Sequence, residues 1–230
     1  MDAIILAAGL GTRLRPHTLT TPKPLLPIRG RPILDWILAA LPKSVERVIV
    51  VTHYLAAQIE SYLERQTHFR EWSTVDQKTP RGTGDAFRAC RGNVTADRFL
   101  VLNGDDLYGA SDLRALAEKP MGLLVHPVDE PRKFGIVFTR PDGTLEKLVE
   151  KPDLDGRQMA NIGAYLFPRS AFDIELPLSP RGEYEITDAV TALAASGPFF
   201  AVPARSWLPI GTIDAWRAAE TIDLEKVLLT

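Results

Sequence analysis

The sequence IILAAGLGTRLRPHTLTTPKPLLPI, residues 4–28, joins a hydrophobic run directly to a glycine-rich loop. Residues 4–6 predict a buried strand, and Gly9 and Gly11 follow at its end. In an open parallel sheet, such a loop lets backbone N–H groups approach a phosphate. Leu14 stands where a dinucleotide fingerprint needs its third glycine, and there is no Gly-Lys-Ser/Thr for a P-loop. The stretch therefore predicts a phosphate site of another kind.

Cations and prolines distinguish this loop from both of those motifs. Arg13 and Lys23 supply a forked and a mobile cation, and Pro16, Pro22 and Pro24 stiffen the segment that carries them. A single cation in a long loop is ordinarily a solvated surface residue. The combination with the glycines favours a triphosphate that undergoes chemistry.

Hydrophobic runs alternate with helical patterns over the first half of the chain. Parallel strands covered on both faces are expected to be short and nearly continuously apolar. The predicted strands are AIILAA (3–8), RVIVVTH (47–53) and RFLVLNGD (98–105), and the predicted helices are PILDWILAALP (32–42), LAAQIESYLERQ (55–66) and TGDAFRACRG (83–92). This order predicts an α/β fold of Rossmann type, with a mixed, mostly parallel sheet flanked by helices.

Strands outnumber helices after about residue 121. The predicted strands are GLLVHPV (122–128), FGIVFT (134–139), LEKLVEKP (145–152) and NIGAYLF (161–167), and helical patterns return in EITDAVTALAASG (185–197) and IDAWRAAETIDLEKVL (213–228). No linker separates the halves, so we expect a single domain, 1–230, in which residues 1–120 form the first lobe and residues 121–230 a substrate lobe.

The composition excludes several classes of protein. The chain has 230 residues, 45% hydrophobic and 24% charged, with a formal net charge of -2. Such a balance gives no general affinity for nucleic acid or anionic membranes. The chain does not begin with a basic segment followed by a long apolar run, and no apolar run in it is long enough to cross a bilayer. We therefore expect a cytoplasmic protein. Cys90, the only cysteine, is expected to be buried in a helix, and the four histidines lack the spacing of metal ligands.

A second candidate site lies in VLNGDDLYG, residues 101–109. A hydrophobic strand ends at Leu102, and Asp105 and Asp106 follow at its carboxyl edge, beside the first loop if the sheet is doubly wound. Mg²⁺ binds one or two carboxylates and completes its shell with phosphates and water. Asp105 is therefore the predicted metal ligand; the alternative is that the pair only begins a turn.

The segment LAAGLGTRLRPHTLTTPKPLLPIRGRPIL, residues 6–34, resembles the signature of the sugar-1-phosphate nucleotidyltransferases, which make nucleotide sugars. The later motifs follow in the order of that family: RGTGDAF (81–87), NGDD (103–106), FGIV (134–137), VEKP (149–152), NIGAYLF (161–167), GEYEITDAV (182–190) and WLPIGT (207–212). The resemblance implies condensation of a nucleoside triphosphate with a sugar 1-phosphate, with release of pyrophosphate. It also implies Mg²⁺ as the cofactor.

The resemblance assigns the nucleotide to the first half of the chain. It places Arg13 and Lys23 on the phosphates and, with Asp105, makes them the catalytic residues. The nucleotide-binding residues implied are Leu6, Ala7, Ala8, Gly9, Gly11, Thr12, Arg13, Lys23, Gln77, Gly82 and Thr83. An amide at position 77 can donate to a carbonyl and accept from an imide N–H, which favours UTP or dTTP over GTP or CTP. Alternatively, Gln77 is an exposed loop residue.

The sugar phosphate is assigned to the second half by the same resemblance. The residues implied are Gly135, Glu150, Lys151, Asn161 and Glu183, with Lys151 paired to the sugar phosphate and the two glutamates and Asn161 on ring hydroxyls. A sugar phosphate is already ionised at neutral pH, so its attack on the α-phosphorus needs no side-chain base. Catalysis would come from positioning and from charge neutralisation by Mg²⁺, Arg13 and Lys23.

One position departs from the family pattern. The family commonly has Trp-Leu-Asp-x-Gly-Thr, with that Asp as a second metal ligand, whereas Pro209 here has no side-chain donor atom. Either Asp105, phosphates and water hold the metal, or Asp214 reaches in from the following helix.

Two other functions stay open: a noncatalytic nucleotide-sugar sensor or regulatory subunit, and a phosphocholine-type cytidylyltransferase, which has no use for Glu150, Asn161 and Glu183. With Thr230 as the last residue, we expect no appended β-helix acyltransferase.

Overall fold

The computed structural model describes residues 1–230, and the chain forms a layered α/β structure. The strands are β1 (Asp2–Leu6), β2 (Pro27–Ile28), β3 (Arg31–Pro32), β4 (Arg47–Thr52), β5 (Glu71–Asp76), β6 (Arg98–Asn103), β7 (Asp106–Tyr108), β8 (Gly122–Val128), β9 (Gly135–Thr139), β10 (Leu145–Glu150), β11 (Gln158–Pro168), β12 (Phe200–Pro203) and β13 (Trp207–Pro209). The helices are α1 (Ile33–Ala40), α2 (Ala56–Leu63), α3 (Thr83–Ala89), α4 (Ala110–Ala117), α5 (Ile186–Ser196), α6 (Ile213–Ala219) and α7 (Leu224–Leu228).

A nine-stranded sheet forms the centre of the fold. Its main order is β10-β9-β11-β6-β1-β4-β5; β8 also pairs with β11, and β12 pairs with β8. The strands β5, β4, β1 and β6 pair in parallel, and β10 and β11 are the strands that run against the rest. This arrangement confirms the predicted mixed, mostly parallel Rossmann-like sheet.

The sheet separates two hydrophobic cores. Ala3 and Ile5 of β1 belong to one core, and Ile4, which points to the opposite face, belongs to the other. All three side chains are fully buried, as expected for a parallel strand covered by helices on both faces. Each core contains residues from both halves of the chain, for example Ile162 in the first core and Val190 in the second.

A small antiparallel ribbon, β7 with β13, lies outside the main sheet. Its register places Leu107 opposite Leu208 and Asp106 opposite Pro209. The Tyr108 hydroxyl donates to the carbonyl oxygens of Ile162 and Gly163, each at 3.1 Å, and so connects the ribbon to β11. The ribbon therefore brings the late WLPIGT segment next to the carboxyl end of β6.

The C-terminal helical pattern is divided into α6 and α7, whereas the sequence indicated one continuous segment. The Thr212 hydroxyl caps α6 by accepting from Ala215 N at 3.2 Å, and the Asp223 carboxylate caps α7 by accepting from Lys226 N at 3.3 Å. The second cap begins a new helix and places Leu224 in the core.

Cys90 is fully buried at the C-terminal end of α3, which confirms its expected environment. Burial raises the pKa of its thiol to about 12. None of the helices combines the length and apolar character needed to cross a membrane.

Candidate active site

A cleft of about 520 Å³ opens at the carboxyl edge of the parallel strands. Its lining contains all of the residues that the sequence assigned to the nucleotide: Leu6, Ala7, Ala8, Gly9, Gly11, Thr12, Arg13, Lys23, Gln77, Gly82 and Thr83. Asp105 and Glu183 line the same cleft. Ligands bind at this edge in open α/β sheets because the loops that leave neighbouring strands converge there.

Local backbone geometry gives the first loop its shape. Gly11 adopts a left-handed φ of 61°, and a Cβ at this position would lie 2.9 Å from Thr18 Cγ2. The buried Thr18 hydroxyl donates to Gly11 O at 2.8 Å, and the Leu14 side chain is buried below the loop. Arg13 is exposed and has no acidic partner, so its guanidinium is available to a ligand.

Lys23 and Asp105 form an ion pair across the cleft. The distance from Lys23 Nζ to Asp105 Oδ2 is 2.5 Å, and the side chains are 8% and 41% exposed. Backbone hydrogen bonds hold the aspartate loop: Gly104 N donates to Leu6 O at 2.9 Å, and Ile210 N donates to Asp105 O at 3.1 Å. The half-exposed Asp105 carboxylate therefore lines the cleft from a loop that is held at both of these backbone contacts.

Gln77 is buried, not exposed, with only 4% of its surface accessible. Its side-chain nitrogen donates to Gly82 O at 3.1 Å and to Asp85 Oδ2 at 3.0 Å. Both partners are acceptors, so they fix the amide with its nitrogen towards the protein. Both amide hydrogens are therefore occupied within the protein, so the expected donation from Gln77 to a base is not available, and only the amide oxygen is left for a ligand.

Gly82 has a backbone that tolerates no other residue. Its φ is 98°, and a Cβ would lie 2.4 Å from Tyr184 O. The turn begins α3, where the N–H groups of Gly82 and Thr83 have no acceptor within the protein. Both residues line the cleft, and these two backbone donors are not used within the protein.

Four of the five residues assigned to the sugar phosphate lie outside this lining, whereas Glu183 lies in it. Gly135 and Glu150 face each other in the β9–β10 pair, and a Cβ on Gly135 would lie 3.1 Å from Glu150 Oε2 and 3.9 Å from Asn161 Cβ. Lys151 Nζ lies 3.6 Å from Glu150 Oε1. These four residues form a second group: three lie on β9, β10 and β11, and Lys151 directly follows β10.

Two residues of this group are already constrained by the protein. Asn161 donates from Nδ2 to the Tyr165 hydroxyl at 2.8 Å and accepts from Gly163 N at 3.0 Å. One amide hydrogen therefore stays available. Lys151 has a left-handed φ of 44°, a conformation that costs free energy in a residue with a side chain.

The second aspartate of the pair, Asp106, is directed inward rather than into the cleft. It accepts from Asn103 Nδ2 at 3.2 Å, and burial together with the neighbouring Asp105 carboxylate raises its pKa to about 8. Pro209 lies opposite it in the ribbon. Asp214 is exposed in the first turn of α6 and does not line the cleft, so the alternative second metal ligand is not brought to the site.

The donor set suits a hard cation that substrate helps to hold. Asp105 offers a carboxylate with one oxygen paired to Lys23 and the other without a hydrogen-bond partner. No group of three or more His, Cys, Asp or Glu side chains is arranged to hold a metal ion. Mg²⁺ accepts such a site because it keeps several waters and takes phosphate oxygens as ligands.

Several residues of this region have no binding role that was predicted from the sequence. Those in the cleft lining are Leu14, Pro24, Pro80, Ala86, Asn103, Gly104, Glu185 and Gly211. Asp85, which holds Gln77, was also missed. Asn103 and Gly104 could have been found from their place at the carboxyl end of a buried strand. The contact between Asp85 and Gln77 depends on the folded turn before α3, which the sequence pattern does not reveal. None of the four histidines lines the cleft.

The sequence comparisons identify relatives along nearly the whole chain. Residues 2–226 match the family model described as nucleotidyl transferase. The chain is 35% identical over 197 residues to the bifunctional protein GlmU of Methanocaldococcus jannaschii, an alignment that covers 84% of this chain and 47% of that protein. It is 32% identical over 222 residues to the mannose-1-phosphate guanylyltransferase of Mycobacterium tuberculosis, covering 92% and 61%. The chain thus spans about half the length of the first of these relatives.

Solved structures share the fold. A Bacillus anthracis protein that carries the name glucose-1-phosphate thymidylyltransferase, in complex with a sucrose, superimposes with a TM-score of 0.84 at 26% identity, covering 97% of this chain and 96% of that one. A UDP-glucose pyrophosphorylase complexed with UDP-glucose gives a TM-score of 0.83 at 24% identity, covering 98% of each chain. With the family model matching almost every residue, the chain belongs to the nucleotidyl transferase family.

Proposed function

We propose that this protein is an enzyme that condenses a nucleoside triphosphate, UTP or dTTP, with a sugar 1-phosphate to give a nucleotide sugar and pyrophosphate. The observation that carries the proposal is the convergence of Arg13, Lys23 and Asp105 in one cleft with the glycine loop. These groups match a reaction in which a phosphate oxygen bonds to the α-phosphorus while the bond from that phosphorus to the leaving pyrophosphate breaks.

Two cationic side chains of the cleft are suited to bind the phosphates of the triphosphate. Arg13, exposed and without a carboxylate partner, is free to bind the phosphates. Lys23 is buried along its stem and holds its ammonium group at Asp105, so its position is fixed before substrate arrives. Such preorganised charges stabilise the charge that builds up on the leaving pyrophosphate.

Base selection is proposed to depend on Gln77 and the start of α3. The oxygen of Gln77 accepts, and the free N–H groups of Gly82 and Thr83 donate. Uracil and thymine present a carbonyl, an imide N–H and a second carbonyl in sequence, which complements one acceptor flanked by donors. Cytosine has an acceptor at the ring nitrogen, opposite the amide oxygen. This pattern of donors and acceptors favours UTP or dTTP over CTP.

The sugar phosphate is proposed to bind beside Gly135, Glu150, Lys151 and Asn161, with Glu183 at the junction with the nucleotide cleft. Lys151 carries the charge that a sugar phosphate requires, and Gly135 leaves space next to Glu150. In this assignment, residues 1–120 bind the nucleotide and residues 121–230 the sugar within one domain. The cytoplasmic location expected from the sequence stays part of the proposal.

Asp105 is the residue that would hold Mg²⁺, together with phosphate oxygens and water. When bound, the ion would neutralise charge on the triphosphate. Pro209 adds no side-chain ligand, so the protein's own share in holding the ion is small.

The test is pyrophosphate release measured with a panel of nucleoside triphosphates and sugar 1-phosphates, each with and without Mg²⁺. We expect release with UTP or dTTP and at least one hexose 1-phosphate. Binding of nucleotide sugars without turnover of any pair would instead support the noncatalytic sensor. Turnover of CTP with phosphocholine would support the cytidylyltransferase.

A further inference from the structure

Asp85 lies in the first turn of α3 and links Gln77 to a second segment of the chain. Its Oδ2 accepts from Gln77 Nε2 at 3.0 Å, and its Oδ1 accepts from Arg81 Nη2 at 3.2 Å. The Arg81 guanidinium in turn lies 5.3 Å from the centre of the Tyr184 ring. Three contacts thus connect Tyr184 to the buried amide through Arg81 and Asp85.

We propose that Asp85 is a positioning residue for base selection: it fixes the orientation of the Gln77 amide so that only the oxygen faces the nucleotide. The inference rests on the proposed function and adds the residue that controls which edge of a base the site accepts. The ligand class is a base with a ring N–H between two carbonyls, as in uracil and thymine.

The chemistry of a carboxylate accounts for this role. An ionised aspartate can only accept hydrogen bonds, so a flipped Gln77 would bring two oxygens together and lose the contact. Gly82 O, 3.1 Å from the same nitrogen, imposes the same preference. An asparagine at position 85 could donate to the amide oxygen, so it would remove one of the two constraints against the flipped amide, which presents donors to the base, and Gly82 O would remain as the other.

Arg81 supports the carboxylate without reaching the base itself. Arg81 lies before α3, its ion pair with Asp85 joins it to the first turn of that helix, and its backbone carbonyl accepts from Tyr184 N at 2.8 Å. Loss of the guanidinium would leave Asp85 free to rotate away from Gln77. Arg81 variants should therefore shift base selection in the same direction as Asp85 variants, but by less.

The experiment is a double-mutant cycle on base preference, with the ratio of kcat/KM for UTP, or for dTTP if that is the preferred substrate, to kcat/KM for CTP as the readout. Asp85→Asn should lower this ratio about fivefold, the factor that corresponds to one lost hydrogen bond. Gln77→Ala should lower it too, and Asp85→Asn should have no additional effect in the Gln77→Ala background. Asp188→Asn is the matched control, because Asp188 lies in the first turn of α5 and outside the cleft.

An unchanged ratio in Asp85→Asn, or an additive effect in the double variant, would overturn the role. If Asp85→Asn does not fold, Arg81→Ala tests the same link with the carboxylate in place, and an unchanged ratio there would also overturn it. If the unmodified protein turns over no triphosphate at all, the proposed function fails instead, and equilibrium binding of UTP, dTTP and CTP then tests the orientation of Gln77 separately.

Discussion

Lys23 and Asp105 are 82 residues apart in the sequence, yet Lys23 Nζ lies 2.5 Å from Asp105 Oδ2. One comes from the glycine loop after β1 and the other from the turn after β6, two strands that pair in parallel. Parallel pairing brings both loops to the same edge of the sheet. In the ion pair, each of the two charges compensates the other.

Asp105 is the first target for substitution, because no other carboxylate is both in the cleft lining and paired with Lys23. Asp105→Asn should abolish detectable nucleotide-sugar synthesis, whereas Asp214→Asn, at an exposed position of α6, should cost less. Initial rates at saturating Mg²⁺ provide the measurement. Near-normal activity in Asp105→Asn would show that the metal is held elsewhere.

Mg²⁺ binding should depend on nucleotide. One protein carboxylate gives a weak site, and phosphate oxygens complete the shell only when substrate or product is present. Calorimetric titration should therefore detect Mg²⁺ binding with nucleotide and little without it. Tight binding to the protein alone would contradict a site built on Asp105.

Arg13→Ala should lower turnover by about two orders of magnitude or more, the scale of one lost charge contact to a transition state. The side chain is exposed, so the fold should survive. Turnover within about threefold of the unmodified enzyme, with an unchanged circular dichroism spectrum, would remove Arg13 from the mechanism.

Gln77→Ala should weaken selection of UTP or dTTP against CTP by roughly 1 to 3 kcal/mol, because one polar contact to the base edge is lost. Competition between the triphosphates in a single reaction measures this directly. A variant that keeps its base preference would show that another group reads the base.

The ionised carboxylate of Asp2, which lies outside the cleft, is expected to stabilise the fold. Burial by itself would raise its pKa, but hydrogen bonds from Arg47 Nη2 at 2.7 Å, Thr95 N at 2.9 Å and Ala96 N at 3.1 Å lower it below 3.8 overall. A lowered pKa stabilises the fold above about pH 4, and this contribution is lost as the pH falls through the folded-state value.

Asp2→Asn should therefore lower the free energy of unfolding at pH 7 by about 1 to 3 kcal/mol. The difference from the unmodified protein should shrink below pH 4. Urea unfolding at pH 7 and pH 3.5 measures both values. A difference that is equal at the two pH values would exclude the ionised carboxylate as its cause.

The glycine loop, the parallel strands and the placement of Arg13, Lys23 and Asp105 could be predicted because each depends on local pattern and on the rule that parallel strands end at one edge. The orientation of Gln77 could not, since it is set by Asp85 and Gly82 O, which reach it only through the folded turn before α3. The position of the Asp214 side chain could not be predicted from the sequence either. Its spacing from Pro209 allowed it to approach the cleft, but the cap of Thr212 starts α6 with that side chain in solvent.

Nucleotidyl transfer to a sugar phosphate in this cleft can be followed with a heavy-oxygen label. Sugar 1-phosphate labelled in its phosphate oxygens is incubated with UTP or dTTP, and phosphorus NMR locates the label in the products. We expect the label in the nucleotide sugar and none in pyrophosphate, and we expect Asp105→Asn to form neither product. Label in pyrophosphate, or no nucleotide sugar from any pair of substrates, would contradict this expectation.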